Sequence, residues 1–541
     1  MYEESAATTA GDRFDADVAV IGYGPVGMVM AALLGQAGHR VVVLERYPGL
    51  YNLPRAASFD DETMRALARL GVADRLLAGL RVQPTYEWRN GAGELLIEQR
   101  FAGSGRSGWA EWYLMYQPDL ESALDQACRA LDTVEVRLAS PVVAIQQDGE
   151  AVRLTVEPAA GRSVVRARYA VACDGGNSFA RGALGVDQDD YGFSEPWMVC
   201  DFRLTHPVDV PGALQFGDPA GPTSIIALGP RHQRFSFMLD SVDDFPAESV
   251  PAKVWARVGR WLQPEDAELI RVATYTFRSL VAHSWRVGRV LLAGDAAHQM
   301  PPFLGQGMCS GIRDAADIAF KLDLVLRGCR RDEVLDTVQT EREPHVRAVI
   351  EEGVRLGRLQ TMRDPTRAEA RDRELLARRA VAGPSPRMPF PDLVAGFMAE
   401  RSASGRGALS VQGRVDAGQG PRLLDAAVGG GTHLIVQAAI LPALEAAALF
   451  PALAAAGVRV VAITEALGPR PDSKVMADVD GTYARWFAEL DVVAVAVRPD
   501  LYVFGTAGDE TAAVGLAREL LAALGVSSSP SPVAASATAV P

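Results

Sequence analysis

A buried strand that runs into a glycine-rich turn constrains the fold of this chain more than any other feature. Near its start the chain reads DADVAVIGYGPVGMVMAALLGQAGHRVVVLER, which predicts a strand, a turn, a helix and a second strand. Gly22, Gly24 and Gly27 have the GxGxxG spacing, and Glu45 ends the second strand where a ribose hydroxyl would need a carboxylate. The pattern predicts a Rossmann-type domain for an adenine dinucleotide, NAD or FAD. A tight turn without a ligand is the alternative.

A second segment, which starts at Arg289, has the chemistry of a flavin site. It reads RVLLAGDAAHQMPPFLGQGMCSGIRDAADIAFKL, which predicts a buried strand ending at Gly294-Asp295, a loop, and a helix that opens near Gly311. The aspartate can accept a hydrogen bond from a polyol hydroxyl, while Gly305 and Gly307 let the backbone approach a flat ring. The start of the helix offers N–H groups and a positive dipole end to the negative charge of a reduced flavin.

A third segment repeats the pattern of an apolar strand that ends in an acid and a glycine. It reads YAVACDGGNSFARGALG, with Asp174-Gly175 after the strand and Arg181 in the first turns of the following helix. Such a segment alone is more often a surface turn. Between the other two it is the middle member of a set.

The three segments together resemble the class A flavoprotein aromatic hydroxylases, the para-hydroxybenzoate hydroxylase-like monooxygenases. The resemblance is closest to the 3-(3-hydroxyphenyl)propionate hydroxylase group, on the segments PRAASFDDETMRALARLG, YQPDLESAL, DYGFSEPWMVCDFRL and TERE followed by PH. It covers about residues 15–400. The sequence departs from the family at Cys309, where Asn is common. Because the family contact there is largely through the backbone N–H, little effect on flavin binding is expected.

The resemblance implies an FAD-dependent enzyme that consumes NADH or NADPH and O2. A C4a-hydroperoxyflavin would hydroxylate the ring of a small phenolic substrate, with a 3-hydroxyphenylpropionate-like acid favoured. A tailoring hydroxylase of a larger aromatic natural product is the alternative, and a non-catalytic FAD-binding protein is a remote one. A substrate carboxylate would need an anchor that is cationic or rich in N–H groups, and Arg234 and Arg278, on candidate pocket strands, are equal candidates.

The resemblance also implies the site residues. The cofactor-binding set is Gly22, Gly24, Gly27, Glu45, Arg46, Arg55, Gln117, Asp174, Gly175, Gly294, Asp295, Gly305, Gly307, Met308 and Cys309. The candidate catalytic residues are Asp60, Asp61, His298 and Pro302. A structural role suits Asp60 and Asp61 equally well: Asp60 would be the N-cap of the following helix, and Asp61 would be an acid in its first turn. His298 suits either substrate contact or ordering of the flavin loop, and the loop role is favoured.

The expected fold class is α/β, with a Rossmann-type FAD-binding domain, an inserted β-sheet substrate domain and a C-terminal thioredoxin-like α/β domain. The monooxygenase region is expected at 15–400. Within it, the FAD domain comprises 15–80, 110–185 and 285–345, the substrate sheet comprises 80–110 and 186–284, and helices occupy 331–400. A linker is expected at 400–420, the thioredoxin-like domain at 421–526, and disorder at 1–14 and 527–541.

Alternation in the segment RHQRFSFMLD places Phe235, Phe237 and Leu239 on one face of a strand. This face either lines a planar substrate or forms an ordinary core.

Composition narrows the class of protein. The net charge of −13 over 541 residues argues against binding to nucleic acid or an anionic membrane, and no apolar run reaches a membrane-spanning length of about 18 residues without interruption. The five cysteines have no CxxC or metal-ligand spacing, which indicates a reduced, cytoplasmic protein without a metal site. A homodimer is possible, with the C-terminal domain in a packing role.

Overall fold

The computed structural model describes residues 14–159, 161–384, 390–468 and 474–526. These residues form two compact units, each with its own sheets. The first unit takes the chain up to Asp323 together with Val338–Pro391, and the second takes Leu324–Thr337 together with the chain from Asp392 onward. The disorder predicted for 1–14 and 527–541 falls outside the described residues, apart from Phe14.

The Rossmann sheet of the first unit has five parallel strands in its centre. In spatial order they are Val290–Leu292, Ser163–Ala172, Ala16–Ile21, Val41–Leu44 and Val134–Arg137. Most of their side chains are valine, alanine, isoleucine or leucine, and Ala16–Ile21, Val41–Leu44 and the last four residues of Ser163–Ala172 are almost fully buried, as a parallel sheet covered on both faces requires. Three antiparallel strands complete this sheet: Arg286–Val287, Val142–Gln147 and Val152–Val156.

A second eight-stranded sheet, which we call the insert sheet, comes from the segments between the Rossmann strands. Its strands, in spatial order, are His298–Gln299, Ala267–Ala282, Gln188–Leu204, His232–Met238, Thr223–Ala227, Ala213–Gly217, Thr85–Asn90 and Leu95–Arg100. A small third sheet contains Ser58–Asp60, Trp112–Leu114 and Arg81–Val82. The α-helices of this part of the chain are Pro25–Gln36, Asp61–Arg69, Ala73–Leu76, Gln117–Arg129, Phe179–Ala183, Phe245–Glu248, Pro251–Val258, Gly307–Leu326, Thr337–Gln360 and Pro365–Ala382.

One face of the insert sheet is an ordinary hydrophobic core. The predicted alternation places Phe235 and Phe237 on this face, where they pack with Val254 and Val258 of the helix Pro251–Val258. The core alternative for these phenylalanines is therefore correct, and the substrate-lining alternative is wrong for them. The opposite face of the sheet is left for the functional site.

The helix after the flavin loop begins at Gly307 and not near Gly311. Gly305 has a left-handed backbone with φ of 65°, which ends the preceding short turn. The N–H of Ser310 then donates to the carbonyl of Gln306 at 2.8 Å, so helical bonding starts directly after the loop. Four residues ahead of Gly311, numbers 307–310, are therefore helical.

The second unit is a seven-stranded mixed sheet with helices. Its strands, in spatial order, are Arg422–Leu423, Arg414–Asp416, Val475–Asp478, Arg459–Thr464, His433–Gln437, Ala494–Val497 and Val503–Ala507. Its helices are Leu424–Val428, Leu441–Ala446, Phe450–Ala455, Thr482–Leu490 and Glu510–Ala523. The predicted α/β fold class with this C-terminal α/β domain is confirmed.

The stretch 400–420, expected to be a linker, is hydrogen-bonded to the sheet of the second unit and contributes a strand to it. The N–H groups of Ala399 and Gly407 donate to Phe504 and Val503 at 2.8 and 2.9 Å, and Arg414–Asp416 is a strand. Glycine and serine favour irregular backbone, but here the neighbouring strand accepts hydrogen bonds from that backbone.

Within the described ranges, no helix is both long and apolar enough to cross a membrane.

Candidate active site

The carboxyl ends of the parallel strands meet at one edge of the Rossmann sheet. The chain leaves these ends at Gly22, Glu45, Cys173 and Ala293, so the glycine turn, the ribose acid and the two acid-glycine pairs predicted from sequence come together there. Ligands of open parallel sheets bind at this edge, where neighbouring loops diverge.

The three glycines of the first turn differ in what surrounds them. A Cβ on Gly22 would lie 2.5 Å from the Cys173 carbonyl oxygen, and a Cβ on Gly27 would lie 2.2 Å from that of Gly22. Among the described residues, a Cβ on Gly24 would meet nothing within 4 Å. Gly24 is also the N-cap of the helix Pro25–Gln36, and its cap has no side-chain hydrogen bond. Two glycines therefore allow close packing, while the third leaves an open cradle at a helix N-terminus that fits a diphosphate.

Glu45 orders the turn that it adjoins. Its carboxylate accepts hydrogen bonds from the N–H groups of Tyr23 at 2.7 Å and Tyr47 at 2.9 Å. The residue is only partly buried, so lone pairs remain for a ligand hydroxyl. The exposed Arg46 lies over the Tyr47 ring at 4.8 Å.

Gln117 holds the turn that contains Arg55. Its Oε1 accepts from the N–H groups of Arg55 and Ala56 at 3.0 and 2.6 Å, and its Nε2 donates to Glu121 at 2.6 Å. The Arg55 side chain is exposed and lies 4.4 Å from the centre of the Tyr51 ring. The buried amide thus supports the backbone of the turn and leaves the Arg55 guanidinium to the cleft.

The Asp174-Gly175 segment joins a short helix to the second flavin segment. The Asp174 carboxylate accepts from the Ser178 hydroxyl at 2.5 Å and from the Ala180 N–H at 3.0 Å, and Gly175 has φ of 80°. Arg181 on this helix donates to the carbonyl of Ala296 at 3.0 Å. The segment therefore fixes the loop that carries Asp295.

Asp295 lies in a deep cleft. The residue is exposed, yet protein surrounds it closely enough that burial raises the pKa of its carboxyl, against the opposing charges of His298 and Arg55. Among the described residues, no donor lies within hydrogen-bond distance of this carboxylate. A recessed acceptor without a partner fits the polyol hydroxyl that the sequence suggested. Gly294 before it has φ of 59° and donates its N–H to Asp314 at 3.0 Å.

The flavin loop leads from Pro302 to the start of a long helix. The Pro302 ring is exposed, and a Cβ on Gly305 would lie 2.5 Å from the Ser58 hydroxyl oxygen, so only glycine fits there. Gly307, Met308 and Cys309 are the first residues of a 20-residue helix, where backbone N–H groups have no intrahelical acceptor. These donors suit an anionic ring edge.

The Cys309 side chain points into the fold. Its Sγ lies 3.6 Å from the carbonyl oxygen of Gly305, and burial raises the pKa of the thiol to about 12. The thiol is therefore protonated at neutral pH, and the departure from the family asparagine leaves the backbone of the helix start unchanged.

Asp60 and Asp61 are both buried and bound to other parts of the protein. Asp60 accepts from the Thr63 N–H at 2.9 Å and pairs with Arg313 at 2.5 Å, so the prediction that Asp60 caps the helix is confirmed. Asp61 accepts from the Ser107 N–H at 2.9 Å. These contacts support the region beside the flavin loop rather than reach into the cleft.

His298 is sealed inside the protein. Its Nε2 lies 2.6 Å from Asp314 Oδ2, while Asp314 Oδ1 lies 3.1 Å from Arg342 Nε. Burial acts to raise the pKa of Asp314, but the charges of His298 and Arg342 and the hydrogen bonds lower it below its usual value. Ordering of the loop, the role favoured from sequence, agrees with this position.

The second face of the insert sheet turns toward the flavin loop. The Trp197 and Phe277 rings lie 6.3 and 6.4 Å from that of Phe303, and Trp112 Nε1 lies 3.9 Å from where a Cβ on Gly305 would be. Strand register places further side chains on this side. We call the following set the site face: Tyr86, Trp88, Trp197, Val199, Gln215, Ser224, Ile226, Ser236, Met238, Ala273, Tyr275 and Phe277.

Neither arginine suggested as a carboxylate anchor is available on the site face. Arg234 pairs with the buried Asp201 at 2.7 Å and donates to the carbonyls of Pro54 and Arg55 at 2.7 and 2.6 Å. Arg278 alternates with Phe277, so its exposed side chain leaves the other side of the sheet. In the structure the Arg234 guanidinium is thus already paired with Asp201, and Arg278 points away from the site face.

Sequence reasoning missed the polar members of the site face. Gln215 Nε2 donates to Tyr86 Oη at 2.5 Å and to Ser224 Oγ at 2.8 Å. Buried and half-buried residues alternate along Thr223–Ala227 in the structure, but its sequence TSIIA does not alternate in polarity and so gave no signal for Ser224. Gln215 lies in a strand that is buried throughout, so no periodicity singled it out.

Comparisons with known proteins agree with this site. The FAD binding domain family matches residues 15–353, and the HcaD C-terminal domain family matches residues 407–523. A probable NADH-specific resorcinol 4-hydroxylase of Rhodococcus jostii (strain RHA1) is 48% identical over 94% of this chain and 95% of its own length. A 3-(3-hydroxy-phenyl)propionate/3-hydroxycinnamic acid hydroxylase of Mycolicibacterium gilvum (strain PYR-GCK) is 34% identical over 90% of this chain and 88% of its own length.

Solved structures share the fold. The flavin-dependent monooxygenase PieE, in complex with FAD and substrate, matches with a TM-score of 0.78 at 22% identity, covering 95% of this chain and 100% of that one. The motif-based recognition of an aromatic hydroxylase is confirmed. The chain belongs to the FAD-binding-domain family of flavoprotein aromatic hydroxylases, and it is an FAD-dependent monooxygenase that consumes NAD(P)H and O2.

Proposed function

We propose that this enzyme hydroxylates the ring of a small uncharged phenol of the resorcinol type, with NADH as the reductant. The site face carries the proposal, because none of its members is charged, and Glu195, which pairs with Phe277 on the same side of the sheet, is an acid that would repel a carboxylate. The charged side chains that follow on the same strands, Asp201, Arg234 and Arg271, bind one another. A substrate carboxylate placed against this face would lose its water without gaining a cation, which is unfavourable by several kcal/mol.

The relatives support the same substrate class. The protein with 48% identity is named for NADH and resorcinol. A 3-hydroxyphenylpropionate-like acid is the second candidate, because several relatives at 31–34% identity are named for that substrate. The aklavinone-11 hydroxylase, a structural neighbour at 23% identity with a TM-score of 0.74, shares the fold and gives no separate support to the natural-product alternative.

For the cofactor, we assign the diphosphate of FAD to the Gly24 cradle and a ribose hydroxyl to Glu45. We assign the polyol chain to Asp295, which has an unused carboxylate. Once bound, FAD supplies hydride acceptance and oxygen activation. The protein contributes binding, orientation and exclusion of water.

The remaining predicted cofactor residues act in this proposal by holding the cleft in shape. Arg46 and Arg55 present exposed guanidinium groups, while Gln117 and the Asp174-Gly175 segment fix the loops beside them. The flavin ring would lie along the loop that contains Gly294 and Gly305. The N–H groups of Gly307, Met308 and Cys309 would face the pyrimidine edge of the ring.

Among the predicted catalytic residues, we assign direct contact to Pro302 alone. Its exposed ring forms part of the wall of the cleft. Asp60, Asp61 and His298 are positioning residues in this proposal, because their side chains are buried and occupied by other partners.

The homodimer, the cytoplasmic location and the absence of a nucleic-acid partner stay predictions. The net charge of −13 supports the last of them, because it repels a polyanion.

A substrate comparison tests the proposal. Purified enzyme is assayed for stimulated NADH oxidation with resorcinol and with 3-(3-hydroxyphenyl)propionate, and products are identified by mass spectrometry. We expect resorcinol to give the higher kcat/KM and a trihydroxybenzene product. Efficient hydroxylation of the phenolic acid, with resorcinol inert, would contradict the proposal and favour the second candidate.

A further inference from the structure

Among the described residues, three buried polar atoms of the site face have no hydrogen-bond partner: the donors Trp88 Nε1 and Trp197 Nε1 and the acceptor Gln215 Oε1. Gln215 Oε1 is the acceptor of this group, and no donor in the described part of the chain bonds to it. The residue as a whole is 2% exposed. A buried acceptor left without a hydrogen bond destabilises a fold by about 1–3 kcal/mol, so this atom needs a donor from outside the protein.

The other end of the same amide is fully used. Nε2 donates one proton to Tyr86 and the other to Ser224, which fixes the orientation of the side chain. Because both hydroxyl oxygens accept these bonds, their own protons remain available as donors. Burial raises the pKa of Tyr86 well above its usual value, and this hydroxyl is therefore neutral at working pH.

The amide lies on the side of the sheet that faces the flavin loop. Tyr86 packs on Trp112 with ring centres 5.1 Å apart, and Trp112 in turn adjoins Gly305. Ser224 and Ile226, next to the amide on the same face, are partly exposed. A substrate ring that enters beside Ser224 would therefore meet the amide at one end and the loop at the other.

We propose that Gln215 is a substrate-binding residue whose Oε1 accepts the hydrogen bond of a phenolic hydroxyl and thereby sets which ring carbon faces the flavin. The inference rests on the proposed function, since it takes a phenol as the ligand. The acceptor Oε1 itself pairs with a hydroxyl group and not with an ether or a carboxylate, because neither of these has a proton to donate to it.

The test measures binding apart from turnover. The dissociation constant of resorcinol and of 1,3-dimethoxybenzene is obtained from the change in flavin absorbance of the oxidised holoenzyme. Gln215→Leu should weaken resorcinol binding about ten-fold or more, consistent with a lost hydrogen bond to a buried group, and should leave the ether unaffected. Gln215→Glu, which keeps an acceptor at the same place, should bind resorcinol within about three-fold of the wild type, since the hydrogen bond is retained.

Gln233→Leu is the matched control. Gln233 is also 2% exposed in the same sheet but lies on the opposite, core-packed side. It should leave resorcinol binding, product position and the yield of product per NADH unchanged, whereas Gln215→Leu should lower that yield and release more hydrogen peroxide.

Equal resorcinol affinity in Gln215→Leu and the wild type would overturn the inference, and so would an equal loss in Gln215→Leu and Gln215→Glu. If the wild type binds a different phenol and not resorcinol, the proposed substrate is wrong. The same variants are then measured with that phenol and its methyl ether, so the two failures stay distinguishable.

Discussion

His298 Nε2 lies 2.6 Å from Asp314 Oδ2, and both side chains are fully buried. Asp314 also receives the N–H of Gly294, so this pair connects the strand end that carries the flavin loop to the helix that follows it. The Asp314 carboxylate therefore holds the strand end and the helix together, although it does not reach the cleft.

The first prediction concerns Asp314→Asn and pH. The pKa of Asp314 is lowered in the fold, so its ionised form stabilises the protein above the unfolded pKa of about 4, and this stabilisation is lost as the pH falls through the lowered value. The variant should be less stable than the wild type by about 3 kcal/mol at pH 7. The difference should shrink below about pH 4, measured by denaturant unfolding followed by circular dichroism. A difference that stays constant down to pH 3 would contradict the assignment.

The second prediction concerns FAD affinity. Asp295→Ala should weaken FAD binding about ten- to a hundred-fold, because a hydrogen bond to a charged group contributes about 1.5–3 kcal/mol. The affinity is measured by titrating apoprotein with FAD and following the quenching of flavin fluorescence. Asp132→Ala, at an exposed loop position of the same unit, is the control and should bind FAD normally.

The third prediction separates two glycines of the first turn. Gly24→Ala should fold with a normal melting temperature as apoprotein, because the added Cβ meets no atom within 4 Å, but it should bind FAD weakly because the methyl group occupies the cradle. Gly27→Ala should destabilise the apoprotein itself, since its Cβ would lie 2.2 Å from the Gly22 carbonyl oxygen. Thermal unfolding and FAD titration of both apoproteins test this. The opposite pattern would show that the cradle is misassigned.

The fourth prediction concerns Arg234→Met. After this change Asp201 has Arg271 as its remaining cation, and the carbonyls of Pro54 and Arg55 lose the hydrogen bonds that Arg234 donates. The melting temperature should therefore fall. The ratio of kcat/KM for resorcinol and for a phenolic acid should not change, because Arg234 does not bind substrate. A selective loss of activity toward the acid would identify Arg234 as a carboxylate anchor after all.

The fifth prediction concerns removal of residues 405–541. The segment Leu324–Thr337 and the region around Phe397 belong to the second unit, so the truncation would strip their apolar partners and the shortened protein should aggregate. Light scattering and FAD content measure the outcome. A monodisperse, FAD-loaded truncated protein that NADH cannot reduce would instead assign the second unit a direct part in the reaction.

The sequence was most informative where a role is local. The spacing of Gly22, Gly24 and Gly27 predicts the cradle because turn, helix start and ligand contact lie within a few residues of one another. The Asp60 cap is local in the same sense. Which side of a sheet faces a site depends on elements that are distant in sequence, and so the roles of Phe235 and Gln215 were not readable from their own strands.

Charge partners were unpredictable for the same reason. Arg234 looked like an anchor because an arginine on a pocket strand often binds a carboxylate. Its actual partner, Asp201, lies opposite it on the neighbouring strand, and register alone brings the two together.

The pairing of Val290–Leu292 with Ser163–Ala172 sets the order in which a growing chain can become a flavoprotein. The glycine cradle is synthesised early, but Asp295 and the start of the helix at Gly307 leave the ribosome only after seven of the eight strands of the insert sheet have been made. A nascent chain therefore holds half of a nucleotide site for nearly half of its synthesis, and stable capture of FAD must wait until the late strand has added to the sheet.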